Sequence, residues 1–238
     1  MAGVFKDVRS AFLVLRGWLR YYRRPGDRER LGGPFNGQTF RQRIFAQLLQ
    51  AVGFEAIVET GTFRGTTTEY MWQVARRPIY TVEMNPKVFG FAKAHLRGKR
   101  GISLHLGDSA TFLQQLIRDR ICIGAPVFFY LDAHGYGELP LGTELGIIFA
   151  NWRQAVVMID DFRVPGDDGY AFDSYGPDAV LDERLLARID LPGVQRFFPS
   201  ARSENETGMR RGCVVLANDP EILKTLSGLD TLAPSATR

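Results

Sequence analysis

Five short apolar runs, each closed by an acidic residue and followed by a helix-compatible stretch, constrain this chain more than any other feature. They are EAIVETG (55–61), PIYTVEMNP (78–86), ISLHLGDS (102–109), APVFFYLDAH (125–134) and QAVVMIDDF (154–162). Nearly continuous apolar strands belong to a parallel sheet whose two faces are both covered by helices. The expected fold is therefore α/β, with a mostly parallel sheet and helices on both faces. After the fifth strand the pattern changes. RVPGDDGYAFDSYGPD (163–178) is too long for a simple connection. A helix is expected near Leu181 to Ile189, then VQRFFPSA and GCVVLAN as a closing antiparallel strand pair. The predicted division is an N-terminal helix and linker (1–33), one α/β domain (34–226) and a disordered tail (227–238).

Charge is placed unevenly. The net charge is +4, yet residues 1–24 hold six basic residues against Asp7 alone, which is +5 and leaves −1 for the remainder. A near-neutral main domain argues against a nucleic-acid surface. Within the basic segment Val4, Val8, Phe12, Leu15, Leu19 and Tyr22 recur at three- and four-residue steps, which predicts an amphipathic helix. Two readings stand for it: packing on the domain or on a partner subunit in a homo-oligomer, or peripheral contact with an anionic membrane. The sequence contains no apolar run of about eighteen residues. Its two cysteines, Cys122 and Cys213, lack metal-ligand spacing, so a reducing, cytoplasmic setting is expected.

In open parallel sheets, ligands bind at the carboxyl ends of the strands, where the strand order reverses. Glu59, Glu83, Asp108, Asp132, Asp160 and Asp161 all occupy such ends, which predicts a pocket lined by them. Gly61 and Gly65 fall between the first strand and the next helix, where a nucleotide-type ligand meets backbone amides. The segment ETGTFRG has neither the three-glycine dinucleotide fingerprint nor a P-loop lysine. Glu83 can accept both hydroxyl hydrogens of a ribose, and Asp108 can accept from an exocyclic amine.

VETGTFRG, YTVEMN and LHLGDS resemble, in order and spacing, the first three motifs of class I S-adenosylmethionine-dependent methyltransferases, across residues 35–217. The resemblance implies a Rossmann-like fold and an S-adenosylmethionine site. Glu59 would face the methionine amino group, Gly61, Thr62 and Gly65 would lie against the cofactor, and Glu83 would hold the ribose. Asp108 and Ser109 would border the adenine, with Asp132 nearby. On this reading a Cβ at Gly61 would occupy the cofactor's place. More narrowly, FNGQTFRQRIF, YLDAHGYGELPLGTEL and VVMIDDFRVPGDDGY resemble the macrocin O-methyltransferase group. That implies methylation of a hydroxyl on a sugar or secondary metabolite, assisted by Mg2+ or a similar divalent cation. By position, the metal ligands would be Asp132, Asp160 and Asp161. Three acids converging without lysine or arginine partners would repel unless a cation neutralised them.

His134, two residues past Asp132, is the candidate general base, with Asp132 beside it in the catalytic group. The loop 163–178 would serve as a lid. Two other readings remain: a non-catalytic partner protein that keeps the cofactor fold, and an iron-dependent hydroxylase. The latter needs two histidines and a carboxylate, and of the three histidines His95 falls in a helix and His105 early in a strand, which reads as structural.

Overall fold

The computed structural model describes residues 2–28, 32–134 and 139–235, with side chains from Val8 onward. Strands β1 (Ala56–Thr60), β2 (Ile79–Glu83), β3 (Ile102–Leu106), β4 (Val127–Leu131) and β5 (Ala155–Asp160) pair in parallel. Strands β6 (Gln195–Pro199), β7 (Cys213–Ala217) and β8 (Leu232–Pro234) extend the sheet antiparallel, in the order β3-β2-β1-β4-β5-β7-β6-β8. The order reverses between β1 and β4, which places a crevice at their carboxyl ends.

The helices are α1 (Ala2–Arg23), α2 (Thr39–Val52), α3 (Thr66–Ala75), α4 (Pro86–His95), α5 (Ser109–Arg118), α6 (Leu141–Asn151), α7 (Glu183–Ala187) and α8 (Pro220–Ser227). Alternate strand residues feed two cores. Val127, Phe129 and Leu131 pack with Leu113 of α5 and Leu145 of α6 on one face. Phe128 and Tyr130 pack with Phe45 and Leu48 of α2 on the other. This two-sided burial is why the central strands read as continuous apolar runs. At the edge, β3 is half exposed and its sequence alternates instead.

Acids and amides at the strand exits also start helices. Asn85 accepts from the amides of Lys87 and Val88 at 3.0 and 3.3 Å, with Pro86 in the first helical turn of α4. Asp219 caps α8 in the same way.

The expected disordered tail does not begin at residue 227. Ile222 and Leu226 of α8 are buried, Thr231 is enclosed, and Leu232 enters β8 against β6. The tail's small and polar composition concealed one short edge strand; residues 236–238 lie outside the described residues.

Helix α1 packs on α4 at very close range. A Cβ on Gly17 would sit 1.8 Å from the Lys87 carbonyl oxygen, and one on Gly90 would sit 2.0 Å from that of Val14. Tyr21 stacks edge-on against Phe91 at 5.3 Å. Within the described residues no helix is long and apolar enough to cross a membrane.

Candidate functional site

A cavity of about 720 Å³ opens at the carboxyl ends of the parallel strands. Glu59, Gly61, Thr62, Glu83, Asp108, Ser109, Asp132, His134 and Asp161 all line it. Two predicted residues do not. Gly65 starts α3, with a φ of +82° and Leu96 packed against it. Asp160 lies in the core.

Glu59 is sealed at the end of β1 and accepts hydrogen bonds from the hydroxyls of Thr68 and Thr81 at 2.5 and 2.6 Å. Burial pushes its carboxyl up to about 7, while both hydroxyls work to lower it. Thr62 meets Thr81 at 2.5 Å, so the threonine cluster that follows β1 orders the acid. Glu83 takes the Phe63 amide on one oxygen at 2.9 Å and the Asn85 amide on the other at 2.8 Å. Burial raises its carboxyl and these amides oppose the rise. Each oxygen keeps a lone pair, so a diol could still be gripped. Asp108 caps α5 through the Thr111 amide at 2.8 Å, and that bond holds its carboxyl below the usual range.

The glycine at position 61 has a reason other than ligand approach. Its φ is +91°, and an added Cβ would lie 2.2 Å from the Asp132 carbonyl oxygen. The close neighbour is the main chain leaving β4, so the expectation that a Cβ would displace the cofactor is corrected. This tight crossing holds the exits of β1 and β4 together, with the Asp132 amide donating to the Thr60 carbonyl at 2.8 Å.

The three-acid cluster is also rearranged. Asp160 is fully enclosed and paired with the buried Arg41 guanidinium of α2; the Tyr130 hydroxyl and the Asp161 amide donate to it as well. Burial alone would raise the Asp160 carboxyl; Arg41 overrides it and keeps the acid below its usual range. Asp160 is thus committed to an ion pair rather than to the cavity. Asp161 takes a left-handed backbone, φ +55°, and turns the opposite way. Its carboxylate accepts from Arg211, which also pairs with Asp173 of the long loop. The expectation of acids without basic partners therefore fails twice, at Arg41 and at Arg211.

In place of Asp160 the structure brings in His134. One ligand atom each from Asp132, His134 and Asp161 lie within 4.8 Å of one another. His134 Nε2 is 3.6 Å from a carboxylate oxygen of both acids, and it is buried without a hydrogen-bond partner. Burial would lower the imidazole's proton affinity, but Asp161 and its neighbours raise it. The Asp132 side chain is 31% exposed, yet partial desolvation and the charges of Asp160, Asp161 and Glu59 push its carboxyl upward.

The long loop reaches the site at one end only. Tyr175 stands edge-on to His134 at 6.4 Å and donates to Asp173 at 2.7 Å. Tyr170 is core, its hydroxyl donating to the Ala201 carbonyl at 3.1 Å. Four residues near the site were not anticipated: Arg41, Arg211, Asp173 and Glu144. Arg41 shares the buried stripe of α2 with Ile44 and Leu48, three and seven residues on, so a signal existed there. Glu144 is buried in α6 with Oε1 unpartnered, and burial raises its carboxyl.

No family model matches this sequence, and no curated protein does. Among solved structures, the chain is similar to the O-methyltransferase TomG from Streptomyces achromogenes in complex with S-adenosylmethionine. That likeness has a TM-score of 0.55 at 16% identity, over 75% of this chain and 79% of TomG. An O-methyltransferase from Bacillus cereus in complex with S-adenosylhomocysteine is similar at TM-score 0.55 and 17% identity, over 75% and 80% of the two chains. Fibrillarin from Aeropyrum pernix, with natively bound S-adenosylmethionine, is similar at 0.50 and 18%, over 74% of each chain. Together with the strand order, these likenesses show that the chain has the Rossmann-like fold of class I S-adenosylmethionine-dependent methyltransferases.

Proposed function

We propose that this protein is an S-adenosylmethionine-dependent O-methyltransferase acting on a hydroxyl of a small molecule, a sugar or secondary metabolite. The observation that carries the reading is that two sets of residues line one cavity. Glu59, Glu83 and Asp108 line it and would meet the cofactor's ammonium, ribose and adenine. Asp132, His134 and Asp161 line the same cavity and would hold an acceptor.

The donor set of that second group fits a divalent cation. Two carboxylates and a buried, unpartnered imidazole nitrogen lie close enough to share one ion. An imidazole in the set moves the preference away from magnesium toward a first-row transition ion. A bound cation would supply positive charge beside the acceptor hydroxyl and make its proton easier to lose. His134 would then serve as a ligand rather than as the general base that the sequence suggests. One histidine with two carboxylates does not match the two-histidine iron set, which disfavours the hydroxylase reading.

The test is S-adenosylhomocysteine binding by calorimetry, followed by transfer of labelled methyl to a panel of hydroxylated sugars and phenols. Measurable binding, and transfer to at least one acceptor, are the expected results. Absence of cofactor binding would overturn the reading. Turnover should fall sharply in His134→Ala, because the cation would lose one of its ligands, with cofactor affinity little changed.

A further inference from the structure

Helix α1 has two apolar faces, and its contact with α4 uses only one. Val8, Phe12, Leu15 and Tyr22 are 64, 58, 53 and 46% exposed. With the half-buried Leu19 they recur at steps of four, three, four and three residues, which aligns them as one stripe. The stripe is about 21 Å long, and no described residue covers it. Along its flank run Arg9, Arg16, Arg20 and Arg23, at steps of seven, four and three residues. Arg16, Arg20, Arg23 and Arg24 join Lys87 of α4 around a basic cleft of about 390 Å³. Among these cleft residues, within the described part of the chain, Arg20 alone is ion-paired, to Asp27 at 2.5 Å, and that carboxyl also feels the charge of Arg24. No acid lies between Val8 and Arg24.

We propose that α1 docks the protein on an anionic phospholipid membrane. The helix lies in the headgroup plane, with the stripe among the acyl chains and the arginines on lipid phosphates. Charge selects this occupant over a second copy of the chain. Two such helices laid antiparallel and face to face would oppose arginine to arginine with no acid between them. Shape selects it over an acidic protein. The stripe is a ridge on a convex helix, and a bilayer yields to a ridge where a folded protein needs a matching groove. The close packing at Gly17 and Gly90 seats α1 against the domain, so docking would orient the cavity as well as tether it.

The experiment is flotation of the full chain with two vesicle types: phosphatidylcholine alone, and phosphatidylcholine with phosphatidylglycerol in equal parts. Binding is expected on the mixed vesicles only, and it should weaken at high salt. Each arginine removed should weaken it about fivefold, so Arg16→Gln with Arg23→Gln should lower it by more than tenfold. Phe12→Glu with Leu15→Glu should abolish it while the circular dichroism spectrum is retained. Failure to bind mixed vesicles, or binding that survives Phe12→Glu with Leu15→Glu, overturns the proposal. So does a dimer by light scattering that the same variant dissolves, which would assign the stripe to a second copy. Binding to immobilised polyglutamate without vesicle binding would assign it to an acidic protein and also overturn it.

Discussion

Glu59 shows how one side chain can join stability to ligand binding. In the unfolded chain an ordinary glutamate loses its proton near pH ~4.3, whereas burial moves this one to about 7. Between those values the folded state holds a proton that the unfolded state has released, so stability falls as pH rises through the window. The full cost of ionising the free protein is about 4 kcal/mol. Thermal melts should therefore decline from pH 5 toward pH 8, and Glu59→Gln should flatten that decline. If Glu59 faces the cofactor's ammonium, S-adenosylhomocysteine binding near pH 6 should release a proton. Calorimetry in buffers of differing ionisation enthalpy reads that directly, and no proton release would place the ammonium elsewhere. Gly61 gives a second test at this scale. Its left-handed backbone and its 2.2 Å approach to the Asp132 carbonyl leave no room for a methyl group. Gly61→Ala should cost about 2–4 kcal/mol in urea denaturation. A neutral result would mean the β1 and β4 exits can separate freely.

At the scale of elements, the Arg41–Asp160 pair ties α2 to the end of β5. Both side chains are buried, so removing one partner strands the other's charge. Arg41→Met and Asp160→Asn should each lower stability by about 3–5 kcal/mol. Denaturant midpoints within experimental error of the wild type would show the pair to be dispensable. The same pair explains why adjacent acids differ so completely. Asp160 continues the strand and faces the α2 layer, while Asp161 leaves it with φ +55° and turns into the cavity. The long loop is anchored by the same device, since Arg211 bridges Asp161 and Asp173. That bridge brings Tyr175 over His134.

For the whole molecule, the proposed division of the cavity residues into a cofactor group and a metal group predicts separable effects of metal. A divalent ion bound at Asp132, His134 and Asp161 should raise the melting temperature, by an amount that grows with the logarithm of its concentration above the dissociation constant. Asp161→Asn should weaken that response without the large loss of stability expected of Asp160→Asn. Chelation should stop methyl transfer and leave S-adenosylhomocysteine affinity nearly unchanged, because Glu59, Glu83 and Asp108 belong to the other group. Full turnover in exhaustively chelated protein would leave the cluster neutralised by a protonated His134 instead.

The sequence by itself determined the periodic features of this protein: five parallel strands, the helices between them, and an acid at each strand exit. These follow from local rules, because a strand buried on both faces must be apolar throughout and a polar residue must end it. His134 was legible as a chemical group, and Arg41 was traceable on the buried stripe of α2. The direction in which each acid points was decided only by the tertiary structure. Asp160 and Asp161 are adjacent and chemically identical, and nothing local distinguishes them. Their roles divide because Arg41, 119 residues from Asp160 in the chain, reaches one, and Arg211, 50 residues from Asp161, reaches the other. The same holds for Gly61, whose constraint is a carbonyl on a strand formed much later in the chain. Pairings across such separations depend on how layers stack, and layer stacking has no local signature for periodicity to reveal.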